Sequence, residues 1–130
     1  MMELFRELQR DTGVGIILIT HDLGVAAGIC HRVAVMYAGR IVESGNVREI
    51  FHHPVHPYTR GLLNSIPHLG RKGRRLEAIA GQPPSLIDPP KGCRFVARCP
   101  QRMSRCDDYP PSFEVSSGHK AACWLAEPRP

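Results

Sequence analysis

Residues 14–38 read VGIILITHDLGVAAGICHRVAVMYA, and the order of patterns within them decides the fold. Val14 to Thr20 is a continuous apolar run rich in β-branched residues, as in a strand buried on both faces. Asp22 follows as a helix N-cap, because its carboxylate can accept from the first free backbone N–H groups. The helix it opens, LGVAAGIC, carries small residues that allow close packing on a sheet. A second buried-type strand, VAVMYA, occupies 33–38. Strand, helix and strand in that order predict a right-handed parallel crossover. Ala38-Gly39-Arg40 then turns the chain into Ile41–Glu43, read as an antiparallel edge. The fold class predicted is α/β, a partial parallel sheet with flanking helices.

Working outward, residues 2–11 read as a short helix with Leu4, Phe5 and Leu8 on one face and Gly13 as its stop. Asn46 and Glu49 stand at capping-box spacing and open a helix through Phe51. His56-Pro57 opens another, with proline at the first helical position and Tyr58, Leu62 and Ile66 on one face. After Gly81 the texture changes. GQPPSLIDPPKG reads as an extended, polyproline-like connector, and FEV, SSGH and KAACWL as a small hairpin.

Composition sets the outer bounds. The chain has 130 residues, 17 Lys+Arg against 12 Asp+Glu, and a net charge of +5. No apolar run approaches the ~20 residues that span a bilayer, and MMELFRELQRDTG has no apolar core of a secretory signal. A cytoplasmic setting is predicted, where five cysteines point to metal or thiol chemistry before disulfides. Nine of the twelve prolines lie from Pro83 onward, and four of the five cysteines from Cys93 onward. Three parts follow: residues 1–66, a basic linker over 67–80, and a cysteine-rich region over 81–130. The linker's Arg71-Lys72-Gly73-Arg74-Arg75 lacks interleaved aromatics, which favours a solvated face over nucleic-acid or lipid contact.

Two constellations carry chemistry. His21 ends the first strand just before a helix, where parallel α/β sheets collect ligands; there it either donates to a phosphate or merely closes the turn. Cys93, Cys99, Cys106 and Cys123 form the second. Ordering about fifty residues costs many tens of kcal/mol at roughly 1–2 kcal/mol each. Region 81–130 has few large apolar residues to offset that cost, so a staple is expected. A four-thiolate metal site is one candidate, and four unrelated buried thiols are the alternative. His52, His53 and His56 read as helix-end and helix-start residues rather than a metal box. His119 is either a further ligand or part of the SSGH turn, and Cys30 a packing thiol.

The run IILITHDLGVAAGICHRVAVMYAGRIVESGNVREIF resembles the carboxyl-terminal part of an ABC transporter ATPase domain. HPYTRGLLNSIP, GQPPSLIDPPKGCRFVARCPQRMSRC and GHKAACW resemble the extension on the ATPases of oligopeptide and dipeptide importers. Gln101-Arg102 departs from that pattern without touching a cysteine. The resemblance implies the carboxyl-terminal portion of a P-loop ATPase domain plus a small irregular cysteine-rich extension. It implies that His21 is the switch histidine that senses the ATP γ-phosphate and positions the attacking water. It also implies that Cys93, Cys99, Cys106 and Cys123 are ligands of a 4Fe–4S iron–sulfur cluster, with zinc the alternative. ATP with Mg would serve the whole subunit, which would dimerise with a related ATPase and drive membrane-spanning permeases at the cytoplasmic face. A peptide-binding protein would act indirectly, and no nucleic acid is expected. The sequence contains no G-x-x-x-x-G-K-[ST] loop, signature or acidic strand, so hydrolysis by this segment alone is not expected. Met1 is read as a truncated or misassigned start. A stand-alone four-cysteine metal module is the competing reading.

Overall fold

A computed structural model describes residues 1–67 and 76–130. Helices α1 (Met2–Thr12) and α2 (Leu23–Ile29) precede strands β1 (Arg32–Tyr37) and β2 (Arg40–Asn46), then helices α3 (Val47–His52) and α4 (Pro57–Asn64). The cysteine-rich part holds strands β3 (Phe113–Ser116) and β4 (His119–Ala121) and three 3₁₀ turns, Val96–Arg98, Ser104–Asp107 and Trp124–Ala126. The basic run 71–75 lies outside the described residues.

The sheet corrects the sequence expectation. It has four strands in the order β1-β2-β4-β3, and all three pairings are antiparallel. Residues 14–20 form no strand, although they are extended in sequence character. Ile17 and Ile19 are 93% and 95% exposed. The reason is physical: a strand is defined by its neighbours' N–H and C=O groups, and no described residue offers them to this run. Without that first strand there is no parallel crossover. The second correction concerns β2, which is interior rather than an edge. The hairpin of β3 and β4 docks on its free side, pairing Glu43 with Ala121 and Ser44 with Lys120, and the Ala122 N–H donates to the Val42 carbonyl at 2.8 Å.

Local chemistry explains the remaining elements. Asp22 Oδ1 accepts from the Val25 N–H at 3.1 Å and starts α2. Asn46 Oδ1 does the same for Glu49 at 2.9 Å in α3. His56 caps α4, its Nδ1 accepting from the Tyr58 N–H at 3.0 Å with Pro57 in the first turn. The β1–β2 turn places Ala38 at φ 47° and Gly39 at φ 78°, the doubly left-handed turn that matches strand twist. The Arg94 guanidinium donates to the Ala38 carbonyl and braces it.

The core joins the two halves of the chain. Val35, Tyr37, Val42 and Ile50 come from the strands and α3, and Phe95 comes from between two cysteines. Phe95 is 2% exposed. Its ring meets Tyr37 edge-on at 5.2 Å and lies 5.4 Å from Tyr58 and 5.9 Å from His56. Aromatic pairs at such distances add about 0.5–1.5 kcal/mol beyond area burial.

Candidate functional site

The four distal cysteines reach one neighbourhood from three local structures. Cys93 precedes the Val96–Arg98 turn, and Cys99 ends it. Cys106 lies within the Ser104–Asp107 turn, and Cys123 caps the Trp124–Ala126 turn. The Cys93 N–H donates to the Cys106 carbonyl at 2.9 Å, lacing the first and third positions together. This contact requires Gly92. A Cβ there would stand 2.3 Å from the Cys106 carbonyl oxygen and 2.4 Å from that of Asp107.

The same proximity shapes the electrostatics of the thiols. Burial raises the Cys93 and Cys99 thiols and pushes Cys123 up to about 11. The charge on neighbouring thiolates adds to each rise: Cys93 responds to Cys106 and Cys99, Cys99 to Cys106, and Cys123 to all three. Nearby backbone N–H groups oppose it: those of Phe95 and Val96 at Cys93, of Gln101 at Cys99 and of Leu125 at Cys123. Amides aimed at sulfur favour the thiolate, and they tune thiolate-bound metals and clusters. All four thiols are free of disulfides.

This donor set fits a thiophilic group in chemistry. As the side chains stand, no group of three or more His, Cys, Asp or Glu among the described residues forms a ready site for a metal ion. Four zinc-bound thiolates at about 2.3 Å from the metal would crowd one another closely.

The other sequence candidates lie elsewhere. His21 is exposed in the bend before α2, on a different part of the chain from the thiols. Its neighbour Asp22 donates its N–H to Thr20 Oγ1 at 3.0 Å, which fixes the bend. His52 and His53 line an open groove with Arg60. Cys30 caps the end of α2. His119 is turned from the cysteines toward Glu43, with Nε2 2.7 Å from Oε1.

Sequence reasoning missed Glu43. Its side chain is fully buried, and its two oxygens accept from the Val55 N–H at 2.8 Å and the His56 N–H at 2.9 Å as well as facing His119. One acid thus ties β2, the lead-in to α4, and β4. Gly45 makes the room, since a Cβ there would lie 3.3 Å from the His119 ring. Only a charge embedded in an otherwise apolar strand, IVESG, hinted at this role.

Residues 42–106 match the family described as the oligopeptide/dipeptide transporter, C-terminal region. Over 130 aligned residues the chain is 53% identical to the dipeptide transport ATP-binding protein DppD of Bacillus subtilis, covering 99% of this chain and 39% of that protein. It is 50% identical over 124 residues to the oligopeptide transport ATP-binding protein OppD of Salmonella typhimurium, covering 95% and 37%. With DppD of Lactococcus lactis the identity is 51% over 132 residues, covering 99% and 37%. The chain therefore spans about two fifths of the length of these relatives.

Proposed function

The chain belongs to the oligopeptide/dipeptide transporter C-terminal-region family, and from that membership we propose that it acts as the carboxyl-terminal part of a peptide importer's ATP-binding subunit. The observation that carries this reading is the alignment, which runs through nearly all of the chain in relatives named for dipeptide and oligopeptide transport. Within it, His21 serves as the switch histidine. An imidazole in the bend before α2 would donate to a γ-phosphate oxygen and orient water, and such bonds gain most in the transition state. ATP and Mg would be held chiefly by residues outside this chain. The whole subunit would pair with a related ATPase and drive permeases from the cytoplasmic face. No helix among the described residues is long and apolar enough to cross a membrane.

In the same reading Cys93, Cys99, Cys106 and Cys123 hold an iron–sulfur cluster, with zinc the competing occupant. What supports a thiophilic occupant is the set of four disulfide-free thiols on three short turns. When bound, that occupant supplies covalent ties among three short turns. The protein's part is to bring four thiols together and shield them. Because the Cys93, Cys99 and Cys123 thiols are raised, loading releases protons and strengthens with rising pH.

Two experiments test the reading. Replacing the matching segment of Bacillus subtilis DppD with this chain should preserve ATP-dependent dipeptide uptake, and His21→Ala in that chimera should abolish turnover while leaving nucleotide binding. A well-expressed chimera that binds nucleotide but never transports would refute the assignment. Anaerobic reconstitution with iron and sulfide should load the parent chain and fail in Cys106→Ser, which should also become protease-sensitive. Unchanged iron content and protease resistance in the variant would refute the thiol site.

A further inference from the structure

The four thiols are not held alike. Cys93, Cys99 and Cys106 lie within one short segment, whereas Cys123 follows a separate hairpin near the end of the chain. The backbone link from Cys93 to Cys106 has no counterpart at Cys123 among the described residues. Ala122 ties the residue before Cys123 to the Val42 carbonyl of β2, but the turn that follows Cys123 needs another hold.

A clasp of side chains spans the gap. Arg105, next to Cys106, reaches across to the turn that follows Cys123. Its two terminal nitrogens donate to both oxygens of Glu127, at 2.5 and 3.2 Å. Its guanidinium carbon sits 4.1 Å from the ring centre of Trp124. Trp124 in turn donates from Nε1 to the Asp108 carbonyl at 3.3 Å, and its ring lies 5.9 Å from Phe113 on β3. A planar guanidinium suits both tasks, since it forks onto a carboxylate and stacks on an indole in one pose. Each contact bridges the Cys106 turn, or the hairpin, to the Cys123 turn.

We propose that Arg105 is a positioning residue that holds Cys123 within the four-thiol set, acting through Glu127 and Trp124. The inference deepens the thiol-site reading above and rests on it. Cys123 is then the releasable fourth ligand: Ala122 anchors the residue before it to β2, and a solvent-facing pair holds the turn that follows it. The Arg105 and Glu127 side chains are 51% and 40% exposed. Exposed pairs add little to global stability. Losing the clasp should therefore free one ligand without unfolding the chain.

The test is site-resolved alkylation of the reduced, metal-free chain with iodoacetamide, read by mass spectrometry, beside anaerobic iron and sulfide reconstitution. In Arg105→Gln, Cys123 should react about tenfold faster, the factor expected from losing one cation–π contact and one bidentate pair. Cys93, Cys99 and Cys106 should stay within about twofold by the same localisation. Arg105→Lys, which keeps the charge and loses the fork, should restore part of the protection. Reconstituted Arg105→Gln should show a visible spectrum unlike the parent's or release iron faster. Equal acceleration of all four thiols would mean general loosening and would overturn the proposal, as would no acceleration at Cys123. If the parent loads no iron yet Cys123 alone is unmasked, the clasp stands and the cluster reading falls. If the parent loads and Arg105→Gln matches it in spectrum, iron release and Cys123 rate, the cluster reading stands and the clasp falls.

Discussion

Gly92→Ala is the sharpest perturbation of the cysteine-rich part. The added methyl would lie 2.3 Å from the Cys106 oxygen and 2.4 and 2.5 Å from the Asp107 oxygen and carbonyl carbon. All three are backbone atoms, so no rotamer relieves the overlap. Ordinary contact requires the Cys106–Asp107 backbone to retreat by about 1 Å. That retreat stretches the 2.9 Å bond from the Cys93 N–H to the Cys106 carbonyl. Overpacking of this kind costs about 1–3 kcal/mol, and the lost bond about 1 kcal/mol more. With a urea slope of about 1–3 kcal/mol/M, the midpoint should fall by roughly 1–2 M. Trp124, the only tryptophan, reports the transition by fluorescence. Gly28→Ala is the control, because its Cβ would meet only the Arg6 guanidinium at 3.9 Å, and the helix gains up to about 1 kcal/mol of propensity. A Gly92→Ala midpoint equal to the parent's would refute the claim that the first and third thiol turns are in backbone contact.

Two further predictions follow from the core. Phe95→Ala should cost about 3–5 kcal/mol by the cavity it leaves, and should destabilise the strand pair as well as the thiol turns, read as loss of hydrogen-exchange protection in β1 and β2; protection lost only beyond residue 90 would show that the two halves fold separately. His56 should make stability acid-sensitive, since burial lowers its pKa from 6.5 to about 4 against the opposing charge of Glu43. Between those values the unfolded chain binds the proton and the folded chain does not, so stability is full above pH about 6.5 and declines toward pH about 4, by about 3 kcal/mol in all. His56→Asn, which keeps a capping oxygen, should flatten that slope in urea titrations at pH 7 and 5, and an unchanged slope would assign it to other groups.

The local elements were legible because their signals are local. Asp22, Asn46 and His56-Pro57 mark helix starts that the structure places where the side chains accept backbone N–H groups. The SSGH turn likewise separates β3 from β4. Residues 14–20 were misread as a strand because an apolar, β-branched run encodes a demand for burial and not the identity of what buries it. Their exposure in the structure shows that demand unmet among the described residues. The antiparallel sheet was hidden for the complementary reason. Its third and fourth strands come from 113–121, some seventy residues after β2, and long-range pairing leaves no periodic trace. Residue type announced the four cysteines. Phe95 was silent and Glu43 gave only a hint, since one aromatic or one acid acquires its role only from neighbours distant in sequence.

Glu43 shows why those neighbours matter. The pairing of β4 with β2 spans two residue pairs, too short a ladder to fix its own register, and a one-residue slip would turn every side chain of β4 over. The buried acid removes the ambiguity. In the observed register His119 Nε2 meets Glu43 Oε1 at 2.7 Å, and Gly45 leaves room for the ring. After a slip, Glu43 would lose its imidazole partner inside the protein, a penalty of several kcal/mol that no apolar contact offsets. His119 also lies 3.5 Å from Glu49 Oε2, within ion-pair reach of α3 though without a hydrogen bond. Cys123 comes four residues after His119. The acid that sets the strand register therefore also sets where the last thiol enters its site, and the exposed clasp at Arg105 has only the final turn left to hold.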